Sequence, residues 1–159
     1  MLETSISGLF LVPLTERHAP ALYELVQQNR RHLTAHGDYK DLVAAPLESF
    51  STELAEPANR NLRFGISLQM QLVGRIDLIP VDPPRYGLGY WLAQTATGKG
   101  YATAALKALL EFASIELQAS DIFAGVTHGN LRSAAVLERA GFVPVETFET
   151  YTRFHRALV

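Results

Sequence analysis

With 159 residues, 48% of them hydrophobic and 19% charged, the chain has the length and composition of one globular domain with a sizeable core. A net charge of −2, from 14 basic and 16 acidic residues, excludes the strong basic excess of a dedicated nucleic-acid binder. Cysteine is absent, which excludes disulfides, thiolate metal sites and a cysteine nucleophile, and no apolar run approaches the roughly 20 residues of a membrane span.

The N-terminus, Met1-Leu2-Glu3-Thr4-Ser5, has neither a basic head nor an apolar stretch, so no signal peptide is read there. A cytoplasmic location and no membrane partner are the default expectations. The histidines at 18, 32, 36, 128 and 155 make no close cluster of the H-E-x-x-H kind, and no metal is expected.

Along the chain, Gly8 to Leu14 reads as a first strand. Thr15 is placed to cap a helix from Glu16 to about Arg31, with Ala19, Leu22, Leu25 and Val26 on one face. Leu33 to Pro46 has weak periodicity and reads mostly as loop, and Leu47 to Glu56 as a short helix stopped before Pro57. Leu62 to Leu68 and Leu72 to Ile79 alternate apolar and polar residues around Gln69-Met70-Gln71, the pattern of a hairpin. Tyr86 to Leu92 is the next strand.

The stretch Thr97-Gly98-Lys99-Gly100-Tyr101-Ala102-Thr103 lies between that strand and a helical pattern reaching about Leu117. Glycines at the mouth of a helix allow close backbone approach, and the first turn carries unpaired N–H groups at the positive end of the dipole. Such a turn suits an anion, most often a phosphate, although a tight turn without a ligand gives the same pattern. Ile122 to Val126 reads as a buried strand. Asn130 caps a helix to Ala140, with Gly141 just past its end. Phe142 to Phe148 and Tyr151 to Leu158 read as antiparallel terminal strands. The alternation implies a mixed sheet covered by helices, with a β-α-β crossover between parallel strands from Tyr86 to Val126.

The turn fits neither a P-loop, which needs G-x-x-x-x-G-K-[ST], nor a dinucleotide fingerprint, which would need glycine where Thr103 stands. Four ordered blocks match another pattern. They are Gly89-Tyr90-Trp91-Leu92, Gly98 to Leu106, Asn130-Leu131-Arg132-Ser133, and Val136 to Phe142. Together they resemble the GNAT acetyltransferase superfamily, and within it the Rim-type branch that acetylates protein N-termini. Leu11 to Thr15 and Asn29 to Leu33 are similar to the N-terminal segments of that branch.

The resemblance implies an α/β (α+β) GNAT fold over 1–159 as a single domain. Its central sheet is mixed and mostly antiparallel, with a splayed parallel strand pair, flanked by helices. It implies acetyl-CoA as co-substrate, held by backbone amides from Thr97 through Gly98, Lys99, Gly100, Tyr101 and Ala102 to Thr103, without a metal. Trp91 and Leu92 fall at the splay, where backbone pairs with the pantetheine arm and an amide polarises the thioester. Trp91 also reads as a core aromatic. Asn130 both caps its helix and touches the pantetheine arm in this reading, and Arg132 reaches a phosphate or lies on a solvated face. Thr97 departs from the family, which usually carries Gln or Arg there.

Many relatives carry a tyrosine acid at the position of Leu137, so that acid is absent. The Rim-type branch often has serine three residues after the asparagine, which makes Ser133 the candidate proton donor to the CoA sulfur. A capping role explains Ser133 nearly as well. No carboxylate is singled out as base: Asp77, Glu146, Glu149 and His128 are all open. An α-amine titrates at about 7.7–8.0 and lysine at about 10.4, so at pH 7 deprotonation costs about 1 against about 5 kcal/mol. A missing base therefore favours a protein or peptide N-terminal α-amine as acceptor. Arg30, Arg31, His32, His36 and Tyr39 are expected to flank the acceptor groove. His36 stands where the branch commonly has tryptophan, which leaves a small-molecule amine open. Leu137 and Thr97 leave open a silent CoA-binding domain. A homodimer is compatible with the Rim-type likeness.

Overall fold

The computed structural model describes residues 1–57 and 62–158. Among these residues, eight strands form one sheet in the order β1-β2-β3-β4-β5-β6-β8-β7. They are β1 (Leu2–Glu3), β2 (Leu9–Pro13), β3 (Leu62–Leu68), β4 (Gln71–Asp82), β5 (Arg85–Leu92), β6 (Asp121–Thr127), β7 (Val143–Thr147) and β8 (Tyr151–Ala157). All neighbours are antiparallel except β5 and β6. This is the mixed, mostly antiparallel α/β sheet expected of the GNAT fold. Strand β8 returns between β6 and β7, an order that local periodicity does not encode.

Among the described residues, six α-helices cover the sheet: α1 (Ala19–Gln28), α2 (Arg30–Leu33), α3 (Lys40–Ala44), α4 (Leu47–Ala55), α5 (Tyr101–Glu116) and α6 (Leu131–Arg139). The helix expected from Glu16 to Arg31 is divided. Glu16–His18 form a 3-10 turn, Pro20 sits in the first turn of α1, and Asn29 leaves helical geometry before α2. Pro20 is tolerated there because first-turn N–H groups have no partner anyway. The expected loop from Leu33 to Pro46 holds the single turn α3, which buries Val43. Burial of one side chain outweighs weak periodicity in so short a segment.

Strand alternation divides the core in two. One face of the sheet packs Ile76, Leu78, Leu88, Ile122 and Val126 against Leu106, Leu109 and Ala113 of α5 and Leu137 of α6. Leu106 and Leu109 are fully buried, worth roughly 1.5–3 kcal/mol each. The other face packs Leu14 and Trp91 against Leu22 and Val26 of α1 and Phe50 and Leu54 of α4. Trp91 thus points away from its neighbours Tyr90 and Leu92.

On that second face lies a charged cluster whose two arginines, Arg63 and Arg75, are buried. Arg75 of β4 donates to both carboxylate oxygens of Glu53 at 2.8 Å and to both of Asp77 at 3.0 Å. Arg63 of β3 donates to the carbonyls of Glu53 and Glu56 at the end of α4. The last carbonyls of a helix lack i+4 partners, and Arg63 supplies donors to that end.

Candidate active site

The parallel pair β5–β6 is in register only from Arg85 with Asp121 to Leu88 with Ala124. Beyond that, β5 continues to Leu92 along β4, and β6 to Thr127 along β8. The two strands therefore part, and a V opens between Gly89–Leu92 and Gly125–Thr127. A strand edge so exposed carries unpaired N–H and C=O groups. Ala93 N–H donates to Val73 O at 2.7 Å. Backbone direction alternates along a strand, so Tyr90 and Leu92 turn their groups into the V. Trp91 and Leu92 are each 7% exposed. With both side chains in the cores, β5 offers mainly backbone there.

The V opens into a cleft of about 1440 Å³ lined by residues from Leu88 to Leu92, Ala96 to Ala104, Ala124 to Thr127 and Gly129 to Ser133. At its floor lies the glycine turn. Gly98 and Gly100 have φ of +74° and +83°, and a Cβ at either would meet open space. Their positive φ makes glycine the natural occupant, and the open space leaves backbone bare to the cleft. The first satisfied amide of α5 is Ala104 N–H, on Gly100 O at 3.1 Å. Among the described residues, no acceptor takes the N–H groups of Gly98, Lys99, Gly100, Tyr101, Ala102 or Thr103. The Thr103 hydroxyl is buried without a partner in the same turn. Thr97 differs: its N–H donates to Gln94 O at 3.1 Å and its hydroxyl to the same oxygen at 2.6 Å. The free run of amides starts one residue after Thr97.

The Asn130 side chain accepts from Ser133 N–H at 3.2 Å, which caps α6. The Ser133 hydroxyl does not join the cap. Its Oγ lies 2.7 Å from the Tyr90 hydroxyl. Arg132 and Lys99 are exposed on the cleft rim. Leu137 is fully buried, so the position that many relatives give to a tyrosine is filled by core.

Of the acceptor-side residues, His32, His36 and Tyr39 line the cleft. Arg30 instead ties α2 to α3 through Val43 O at 2.7 Å, and Arg31 is exposed outside the lining. The Tyr39 hydroxyl donates to Tyr90 O at 2.9 Å, on the exposed edge of β5. Desolvation of that hydroxyl, then the negative field of Asp38, pushes its pKa up to about 12. Burial pulls the His32 imidazole below its ordinary value; a hydrogen bond with the Leu92 backbone opposes this, and Arg132 and His36 add to the lowering.

None of the four base candidates named from sequence lines the cleft. Asp77 is held by Arg75, though burial still raises its carboxyl above the ordinary range. Glu146 faces Arg153 at 3.5 Å, His128 meets Phe148 O at 2.8 Å, and Glu149 is exposed between β7 and β8. The carboxylate on the lining is Asp38, which sequence reasoning passed over. Both its oxygens lie 2.7 Å from the Thr127 hydroxyl. Its only signal was position beside Tyr39 in a polar loop.

A family profile described as "Acetyltransferase (GNAT) domain" matches residues 8–143. The chain belongs to the GNAT acetyltransferase family. It is 28% identical over 142 residues to a putative ribosomal N-acetyltransferase, YdaF, of Bacillus subtilis (strain 168), covering 82% of this chain and 75% of the relative. By fold it is similar to RimL, a ribosomal L7/L12 α-N-protein acetyltransferase solved in complex with coenzyme A. That match has a TM-score of 0.86 at 17% identity, over 99% of this chain and 98% of the other. A ribosomal-protein-S5-alanine acetyltransferase from Vibrio fischeri matches with a TM-score of 0.84 at 17% identity, over 96% and 94% of the chains. Among the described residues there is no helix long and apolar enough to cross a membrane, and no cluster of metal-ligating side chains.

Proposed function

We propose that this protein transfers an acetyl group from acetyl-CoA to the α-amine of a protein or peptide N-terminus. The observation that carries the reading is the run of unpartnered amides from Gly98 to Thr103, set in one cleft with the V of β5 and β6. Six oriented N–H groups and a helix N-terminus suit a pyrophosphate, and the parted strands suit an amide-bearing arm that pairs like a strand. Acetyl-CoA carries both groups.

The backbone of Tyr90 and Leu92 stands where the arm and its thioester would lie, and a strand-edge amide there would polarise the carbonyl. Ser133, on the opposite wall, is the candidate proton donor to the departing sulfur. Asp38, Tyr39 and His32 form the acceptor wall. A terminal α-amine titrates only about 0.7 to 1 unit above pH 7, so Asp38 or ordered water is a sufficient proton acceptor. The names of the relatives point to the same acceptor class.

Two measurements test this. Acetyl-CoA at saturating concentration should raise the melting temperature by several degrees. Peptides with N-terminal Ser or Ala should then release free CoA thiol. No stabilisation would overturn the donor assignment. Stabilisation with silence across peptides and small amines would make the domain a CoA-binding module.

A further inference from the structure

We infer that Tyr90 is a positioning residue for the proton delivered by Ser133, so that a phenol–hydroxyl pair takes the place of the tyrosine that many relatives carry where this chain has Leu137. The inference rests on the Ser133 role proposed above. A serine hydroxyl alone is a poor acid, because losing its proton leaves an alkoxide. A thiolate is a far weaker base than an alkoxide, so serine needs a second proton behind it. Tyr90 is built to provide one. Its ring packs against the α5 and α6 side of the core, and its hydroxyl lies 2.7 Å from Ser133 Oγ and 3.3 Å from Ser133 O. The shorter contact falls in the range of a good O–H···O bond, and the longer one does not.

The 2.7 Å contact allows either hydroxyl to donate, and the relay takes Tyr90 as the donor. The Ser133 N–H is engaged by the Asn130 cap, which sets the first turn of α6 in place against β5. With Tyr90 O–H donating to Oγ, the Ser133 proton is left to point into the cleft. In the transfer, the Ser133 O–H bond breaks and an S–H bond forms on the leaving thiolate. At the same time Tyr90 O–H breaks and Oγ–H re-forms. The phenolate then regains its proton from solvent through the cleft, so the enzyme returns unchanged. Burial raises the Tyr90 phenol above its ordinary range, with the Ser133 bond acting the other way. It therefore stays protonated, and able to donate, throughout the neutral range.

The test is steady-state kinetics on Tyr90→Phe, Ser133→Ala and the double variant, with KM for acetyl-CoA measured beside kcat. Tyr90→Phe keeps the ring and its packing. It should lower kcat about tenfold or more, while KM and acetyl-CoA thermal stabilisation stay within about twofold of the parent. The double variant should be no slower than the slower single variant, since both act on one proton. If Ser133→Ala is slow and Tyr90→Phe is not, the Tyr90 inference fails alone. If Ser133→Ala is as fast as the parent, the Ser133 role and this inference fall together. Additive losses, or a Tyr90→Phe defect confined to KM, would also overturn it.

Discussion

The carboxylate of Asp38 accepts from the hydroxyl of Thr127 at 2.7 Å, across 89 positions of chain. The next residue, Tyr39, donates to Tyr90 O at 2.9 Å. Two adjacent residues of one loop are thus fastened to the two arms of the V, Thr127 ending β6 and Tyr90 lying in β5. The loop lies across the opening, and an acceptor must approach beside it.

Removing the Thr127 hydroxyl should therefore be felt by the acceptor. Thr127→Val leaves Asp38 without its donor and frees one end of the loop. A hydrogen bond to a charged group is worth about 1.5–3 kcal/mol, so the peptide KM should rise about tenfold. KM for acetyl-CoA should change little. Steady-state titration of each substrate decides this, and an unchanged peptide KM would place the acceptor elsewhere.

The glycine turn makes a second prediction. Gly100→Ala adds a side chain at φ +83° that meets open space in the protein. Strain there should cost about 1 kcal/mol of stability. The methyl group would also stand over the bare amides, so acetyl-CoA affinity should fall about tenfold. Calorimetric titration separates the two effects. Weaker folding with full affinity would show that the ligand does not rest on this turn.

Arg75 should matter to folding. It is 9% exposed in its side chain and pairs with Glu53 and Asp77 at once. Arg75→Met would leave two carboxylates facing each other. The expected loss is about 3 kcal/mol, the lower end for a broken buried pair because Glu53 is 42% exposed. Urea unfolding with an unchanged m-value measures it. A loss within about 0.5 kcal/mol would mean that water already screens the cluster.

His32 gives a sign for pH. Its folded pKa lies below its unfolded value of about 6.5, chiefly because burial disfavours the imidazolium. Its contribution to stability is therefore fully present above the unfolded value and is lost as pH falls through the folded one. Melting temperature should drop as the protein is taken from neutral into mildly acid buffer. The drop should be shallower in His32→Gln. Identical pH slopes would remove His32 as the cause.

What could be read from sequence divides along physical lines. The turn at Gly98 and Gly100, the Asn130 cap and the hairpin at Gln69-Met70 are local, so each announces itself in a few residues. The parting of β5 and β6 followed from family likeness, and the register shows it. Tyr39 was named for the acceptor side by family likeness, but Asp38 and the contacts of both residues were not legible. Their partners are 89 and 51 positions away, and no periodicity marks a loop that is held by side chains across a groove. The Ser133 hydroxyl was legible as either a cap or an acid. Only the position of Tyr90 shows that its oxygen is engaged outside the cap.

Mass spectrometry of peptides incubated with the protein and acetyl-CoA reads the acceptor amine itself. One peptide should carry a free N-terminal Ser or Ala, and a matched one a blocked N-terminus and an internal lysine. The first peptide should gain an acetyl group on its α-amine, with one free CoA thiol for each acetyl transferred, and the second should not change. Acetylation of the lysine peptide alone, or of neither peptide while both substrates are bound, would contradict transfer to an N-terminal α-amine.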